Sequence, residues 1–394
     1  MVFWYDCNMK IPLLVFHAFQ DLIVRLLPNF KKKEYSFAFL IHPRNIQDVY
    51  RKYPFAKYFS DKKVEWFLRY FWPIIASEIT GLKISKTGKE IKGYIIGVPL
   101  LAKQMLEERE LAKKRIIQAI KLAEKKGAKI IGLGALTSSV TKGGLDLVDR
   151  VKCNITTGHA YTAHNVTSNI FKLAELFNVD KKRAVIAVVG AAGSVGSTSA
   201  QLIARAQFAN LLLIDIERKA HIVNELIPYL KNLNPNINIE VSHQISAIKK
   251  ADFIITATNT PEALIKADDL KSGAVVIDDA QPSDVSPEAL KREDVMVIEA
   301  GLVHTPGIRN HFTFGFKDKY DNYCCLAEVL ILASEEWNDH YVINRATLEL
   351  VDRVSALGEK LGFRVAEFQN FQEKISKKKL SLIKDIIQES RQYV

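Results

Sequence analysis

The chain has 394 residues, an apolar fraction of 48% and a formal net charge of +11, which describes a globular protein long enough for two or three domains with buried cores. Its cysteines, Cys7, Cys153, Cys324 and Cys325, show neither metal-ligand spacing nor a disulfide framework, and no HExxH or CxxC occurs. No metal is therefore assigned, and a reducing, cytoplasmic setting is expected.

Residues 1–34 open the chain with an extension that is apolar nearly all round from Ile11 to Leu27, cut by a narrow polar stripe of His17, Gln20, Asp21 and Arg25. The stripe argues against a membrane-spanning helix. The lack of a basic opening and of a small-residue cleavage site argues against a secretory signal. Two readings stand. One is an interfacial helix over residues 11–33, ending in Lys31, Lys32 and Lys33 and lying peripherally on the inner face of the membrane; the other is a helix packed on the protein's own surface or on a partner subunit.

Residues 35–180 read as an N-terminal α/β substrate domain. Ser36–Ile41 (SFAFLI) is a core strand. The segment from Tyr53 to Trp72, with Phe55, Tyr58, Phe59, Trp66, Phe67, Tyr70 and Phe71, carries too many rings for a surface helix and is expected to pack a core or line an apolar cavity. Glu78–Ile84 and Glu90–Val98 pair around the turn at Thr87, Gly88 and Lys89, and Met105–Lys126 is an amphipathic helix stopped by Gly127. A strand at Lys129–Gly132 runs into a polar loop holding Ser138 and Ser139. A second polar loop, Ile155–Tyr161, holds Thr157 and His159 and leads into a helix from Thr162 to Phe177. Ser138, Ser139, Thr157 and His159 are the candidate substrate contacts, placed at strand ends where ligands of open α/β sheets bind; His159 either meets substrate, as a contact or proton donor, or is bonded locally.

Residues 181–318 carry the pattern around which the chain is organised, AVIAVVGAAGSVGSTSAQLIARA from Ala184 to Ala206. Ala184–Val189 is an uninterrupted apolar run suited to a strand buried on both faces, and Gly190, Gly193 and Gly196 follow at once. Such glycines allow the tight turn, close approach to a pyrophosphate and helix–strand packing, while the helix start, with Ser194 and Val195, offers N–H groups to an anion. Ser194, Ser197, Thr198 and Ser199 are expected to supply hydroxyls and helix caps. A second strand, Asn210–Ile214, ends at Asp215, where a carboxylate would meet an adenosine ribose, and Arg218 lies just beyond. Further runs at Ile239–Val241, Asp252–Thr258, Ala274–Ile277 and Val295–Ile298 imply a doubly wound parallel sheet, with Thr258 beside the nicotinamide ribose. Gly190, Gly193, Ser194, Val195, Gly196, Asp215, Arg218 and Thr258 are thus the candidate cofactor residues.

Residues 319–394 read as a C-terminal helical segment. A helix over Asp321–Glu336 is capped by Asp321 or Asn322 and carries Cys324 and Cys325 in its first turn, where the helix dipole lowers a thiol pKa. From the residues alone a small buried side chain is the safer reading of either cysteine. The tail from Asn370 is a charged amphipathic helix that covers a core edge or mediates oligomerisation.

From about Ser36 to about Phe363 the chain resembles the aldehyde-forming long-chain fatty acyl-(acyl carrier protein) reductases. The blocks LGALTSSV, TTGHAYTA, VVGAAGSVGS, LLLID, EAGLVH and CCLAEVLI occur in that family's order with similar spacing. The resemblance implies reduction of a long-chain acyl thioester to a fatty aldehyde through a covalent thioester on Cys325, which stands before Leu326, Ala327 and Glu328 as the family nucleophile does. It also implies acyl carrier protein or acyl-CoA as donor, docked on basic surface, and the aromatic segment as a holder of the acyl chain. Cyanobacterial members use NADPH, whereas Asp215, Ile216 and Glu217 favour NADH, with Arg218 and Lys219 near enough to temper that preference.

Competing readings are a shikimate or amino-acid dehydrogenase type acting on a small polar substrate without a covalent step, and a dinucleotide-binding scaffold without turnover. Glutamyl-tRNA reductase is a relative by mechanism, but no basic-aromatic nucleic-acid motif is present, so no nucleic-acid partner is assigned.

Overall fold

The computed structural model describes residues 35–392 apart from residues 261, 281–282, 313 and 372, so the extension read above as an interfacial or packed helix lies outside the described residues. The chain divides into two units. The first runs to Thr156 and takes in Asn310–Phe312 and Ala333–His340; the second holds Thr157–Arg309, Thr313–Leu332 and the chain from Tyr341 onward. The helix after Thr157, read above with the substrate domain, goes with the nucleotide unit. The C-terminal segment from Tyr341 goes there too. Among the described residues no helix is long and apolar enough to cross a membrane.

In the first unit, β1 (Ser36–Ile41) is apolar from Phe37 onward, with a parallel neighbour on each side. After it come α1 (Ile46–Lys52), α2 (Asp61–Tyr70), β2 (Ile74–Lys83), β3 (Glu90–Gly97), α3 (Ala102–Glu107), α4 (Arg109–Lys125), β4 (Ala128–Leu133), α5 (Leu136–Val140) and β5 (Asn154–Thr156). The sheet order is β2-β3-β1-β4-β5, antiparallel only at the β2–β3 hairpin. Ala112, Ile116, Ala119, Ile120 and Ala123 recur at helical spacing and bury one face of α4. The polar stretch with Ser138 and Ser139 is not a loop: it winds into α5, with Ser138 buried.

The aromatic segment departs from its expectation. α2 turns Val64 and Leu68, one helical turn apart, onto a small core with Tyr50, Ala56 and Leu101. The 3.6-residue period then forces Trp66, Phe67 and Tyr70 to the opposite face, and these rings, with Tyr58 and Phe59, are exposed rather than packed.

The second unit starts with α6 (His159–Leu176) and continues through β6 (Val185–Val189), α7 (Ser194–Arg205), β7 (Asn210–Ile214), α8 (Ala220–Leu233), β8 (Asn238–Ser242), β9 (Phe253–Thr256), β10 (Val275–Asp278), α9 (Pro287–Leu290) and β11 (Met296–Glu299). These strands form a parallel sheet of order β8-β7-β6-β9-β10-β11, the doubly wound arrangement whose order reverses between β6 and β9. Alternation along each strand feeds two cores: Ile186, Val188, Leu211 and Leu213 pack on one side, Ala187, Val189, Leu212 and Ile214 on the other.

Beyond the sheet lie β12 (Leu302–His304), β13 (Asp321–Tyr323), α10 (Cys324–Ser334), α11 (Leu348–Lys360), β14 (Arg364–Val365) and α12 (Lys377–Gln392). Asp321 and Asn322 are not caps. They belong to β13, which pairs antiparallel with β12, and the helix begins directly at Cys324. The C-terminal α12 sends Ile383 and Ile387 into the first of the two cores, so the tail covers a core edge.

Candidate active site

β6 ends at Val189 and the chain turns through Gly190 (φ +84°) into α7. A Cβ on Gly190 would meet the Ala257 carbonyl oxygen at 2.6 Å, and one on Gly196 would meet the Gly190 carbonyl oxygen at 2.2 Å. Only glycine lets the turn close at the point where the strand order reverses. Gly193 caps α7 without a side-chain hydrogen bond.

The serine and threonine hydroxyls do not serve as the expected caps. Ser194 Oγ accepts the Ala346 amide at 3.1 Å, Ser197 Oγ donates to the Ser194 carbonyl at 3.2 Å, Thr198 Oγ1 donates to the Ala346 carbonyl at 3.2 Å, and Ser199 is wholly buried. With no side-chain cap, the first-turn N–H groups at Ser194 and Val195 and the positive end of the dipole are left to a ligand anion. Arg345, distant in sequence and exposed, donates to the Ala192 carbonyl at 2.9 Å and to Ser197 Oγ at 3.2 Å, which sets a guanidinium on the glycine turn.

Asp215 is buried at the end of β7. Its Oδ2 accepts the Ala192 amide at 2.9 Å, and its Oδ1 accepts the Ile216 amide at 2.9 Å with Lys219 Nζ 3.4 Å away. Arg218 is exposed in the short 3₁₀ turn Glu217–Lys219. A closed glycine turn, an uncapped helix start and a carboxylate tied to that turn together fit a dinucleotide.

At the carboxyl ends of β9 and β10, Thr258 donates its hydroxyl to Asp284 at 2.7 Å, Thr256 bonds both Asp278 and Asp284, and Ser283 donates to Asp278 at 2.6 Å. Burial, with repulsion from Asp284, pushes the Asp278 carboxyl up to about 7. Asp279 and Asp284 are raised too, Asp279 well above the carboxylate range by burial and by its two acidic neighbours.

The second element of the site is built by two helix starts. Cys324, the first residue of α10, is buried and donates its amide to the Gly301 carbonyl at 2.7 Å; Cys325 is partly exposed. Gly158 (φ +79°) caps α6 against it: a Cβ there would stand 2.3 Å from Cys325 Cβ and 2.4 Å from its Cα. Glu328, wholly buried one turn along α10, accepts the Gly158 amide on Oε1 at 3.1 Å and the Tyr161 amide on Oε2 at 2.8 Å. Its carboxylate therefore caps α6 and fixes that helix start beside the cysteine.

The helix dipole does not lower the Cys325 thiol. Burial dominates and, with the nearby Asp279 and Glu328 charges, pushes it up to about 12, although the Leu326 and Cys325 amides favour the thiolate. The same cause holds the His159 imidazole neutral, with its pKa lowered to about 4, so at neutral pH it is a hydrogen-bonding group and not a cation. Thr157 gives its amide to the Val342 carbonyl at 3.2 Å, and its hydroxyl is buried without a hydrogen-bond partner among the described residues.

Gly190, Gly193, Ser194, Val195, Gly196, Asp215, Arg218 and Thr258 all lie in the second unit, as do Thr157, His159 and Cys325, whereas Ser138 and Ser139 belong to the first. Sequence reasoning missed Glu328 and Arg345. Glu328 stands inside the CCLAE block, while Arg345 has no local signal. His304 Nδ1 lies 3.1 Å from Asp321 Oδ1, with Asp318 near enough that their ligand atoms fall within 4.8 Å of one another; this hydrogen-bonded pair assigns no ion by itself.

The strand order, glycine turn and Asp215 define the class: a doubly wound, dinucleotide-binding α/β protein. The family model described as shikimate / quinate 5-dehydrogenase matches residues 172–301, within the nucleotide unit. The chain is similar to a long-chain acyl-[acyl-carrier-protein] reductase of Synechococcus elongatus, 25% identical over 332 residues, covering 79% of this chain and 92% of that protein. It is also similar to the aminotransferase PigE of a Serratia species, 24% identical over 306 residues, covering 76% of this chain and only 35% of that relative's length. A glutamyl-tRNA reductase of Cyanophora paradoxa is 24% identical over 256 residues, covering 62% of this chain and 55% of its own.

Arg345→Ala is expected to weaken dinucleotide affinity about tenfold, because the guanidinium that bonds the Ala192 carbonyl and Ser197 Oγ at the glycine turn is lost. Titration calorimetry with NADH and NADPH reads it directly, and an unchanged Kd would remove Arg345 from the nucleotide site.

Proposed function

We propose that this chain is a nicotinamide-dependent oxidoreductase that reduces a long-chain acyl thioester to a fatty aldehyde through an acyl-enzyme on Cys325. The observation that carries this reading is the placement of a partly exposed cysteine in the first turn of α10, with Gly158 leaving no side chain over it. Its motif agrees with the resemblance to acyl carrier protein reductases.

The Cys325 sulfur attacks the thioester carbonyl carbon, the bond to the carrier sulfur breaks, and the thiol proton leaves with the carrier thiol. Gly190, Gly193, Ser194, Val195, Gly196, Asp215 and Thr258 would hold NADH or NADPH, which would supply the hydride that takes the acyl group to the aldehyde level; the bond between the acyl carbon and the Cys325 sulfur then breaks, the aldehyde leaves and the sulfur takes up a proton from solvent. Asp215 leans the site toward NADH, and the resemblance and the exposed Arg218 lean it toward NADPH. The Cys325 and Leu326 amides steady the thiolate as it forms, and the Thr157 hydroxyl, buried without a hydrogen-bond partner, and the neutral His159 are the substrate contacts on this unit. The donor is acyl carrier protein or acyl-CoA, and the setting is cytoplasmic or peripheral to the membrane.

The test is purified protein with palmitoyl or stearoyl thioesters, on acyl carrier protein and on CoA, with NADH or NADPH, and mass-spectrometric detection of fatty aldehyde. Aldehyde from one donor and one cofactor is the expected result. Absence of aldehyde from every pairing, with oxidation of a small hydroxy acid instead, would replace this reading by the shikimate-type dehydrogenase.

A further inference from the structure

The outward face of α2 joins exposed rings to unpaired cations. Trp66 is 57% exposed, Phe67 55% and Tyr70 65%, and the segment leading into the helix adds Tyr58 at 82% and Phe59 at 54%. Several rings touch: Trp66 and Tyr70 have centroids 4.9 Å apart, Phe67 and Phe71 5.4 Å, and Phe71 stacks on Trp72 at 4.7 Å. Single exposed rings are ordinary, but a cluster of them on one helix face marks a binding surface.

Lys57, Lys62 and Lys63 stand exposed on the same stretch and make no ion pair among the described residues. The acids nearby do not offset them fully. Asp61 accepts the Tyr50 hydroxyl at 2.5 Å, Glu108 pairs with Arg69 at 2.7 Å, and Glu65 is half-buried.

We propose that this face docks the protein on an anionic lipid bilayer, with the rings of Tyr58, Phe59, Trp66, Phe67 and Tyr70 entering the headgroup–acyl boundary and Lys57, Lys62 and Lys63 meeting lipid phosphates. Trp and Tyr suit that boundary because each has an apolar body and a polar tip, and lysines add attraction to an anionic surface. A second copy fits less well, since a two-fold contact through this face would bring the three lysines of each copy into one interface without acidic partners. An acidic protein would answer the lysines but leave five rings in water. The proposal goes beyond the reduction of an acyl thioester and does not depend on it.

Flotation of the full-length chain with phosphatidylcholine vesicles, with and without phosphatidylglycerol, tests the surface. Wild type is expected to float with the anionic vesicles. Trp66→Ala/Phe67→Ala/Tyr70→Ala should lower the partition coefficient at least ~10-fold with an unchanged melting temperature, because these side chains are exposed. Lys57→Gln/Lys62→Gln/Lys63→Gln should remove the preference for anionic vesicles, at about fivefold per lysine. Wild type that does not float, a ring variant that floats like wild type, or a ring variant whose only change is loss of a vesicle-independent dimer would each overturn the proposal.

Discussion

Cys325→Ala is expected to abolish aldehyde formation, by at least ~10⁴-fold in turnover, because removing the nucleophile of a covalent mechanism removes the pathway and not one contact along it. Cys324→Ala should stay within a few-fold of wild type: that sulfur is buried, whereas Cys325 beside it is partly exposed. The thiol itself gives a second readout that needs no acyl substrate. With the Cys325 thiol pushed up to about 12, thiolate is scarce at neutral pH, so its alkylation by iodoacetamide should climb about tenfold per pH unit without levelling off below pH 10. Burial is the main cause, with repulsion from Asp279 next. Labelling that levels off near the free-thiol pKa would show a solvated cysteine, and aldehyde formation by Cys325→Ala would sink the covalent mechanism.

What could be read from the sequence followed from locality. The run Ala184–Val189, the glycines after it and Asp215 lie within one strand–turn–helix–strand unit, and the apolar runs that follow have nowhere to go but a buried parallel sheet. The two cysteines were legible as a helix start for the same reason. Glu328 was not, because its role is to cap a helix whose start is 170 positions away in the chain, and no periodicity encodes that distance. Arg345 meets Ser197 across 148 positions by the same kind of long-range contact. The serines and Thr198 of α7 looked like caps because cap statistics are local, whereas the structure gives Ser194 and Thr198 to the backbone of Ala346. The aromatic segment failed for a different reason. Composition counts rings but not the face they occupy, and Val64 and Leu68 already fill the inward positions of a ten-residue helix.

Gly158→Ala should then be among the most damaging small substitutions in the chain. The added methyl would sit 2.3 Å from Cys325 Cβ and 2.4 Å from its Cα, the latter a backbone atom that no rotamer change can move aside. The residue also holds φ at +79°, which costs an alanine about 1–2 kcal/mol, and overpacking against a fixed neighbour adds about 1–3 kcal/mol, so a loss of about 2–5 kcal/mol is expected from urea unfolding. The damage is not confined to stability. Moving α6 away from Cys325 lengthens the bonds from the Gly158 and Tyr161 amides to Glu328, and a wholly buried carboxylate that loses its donors becomes a cost in itself. Iodoacetamide labelling of Cys325 should accordingly quicken in Gly158→Ala, as water reaches a thiol that burial now keeps protonated. Glu328→Gln is expected to act in the same direction more weakly, because its amide keeps one acceptor oxygen for two donors. A Gly158→Ala protein with the urea midpoint and labelling rate of wild type would mean that the two helix starts are not packed together as described, and that the cysteine owes its environment to something other than the glycine and the glutamate beside it.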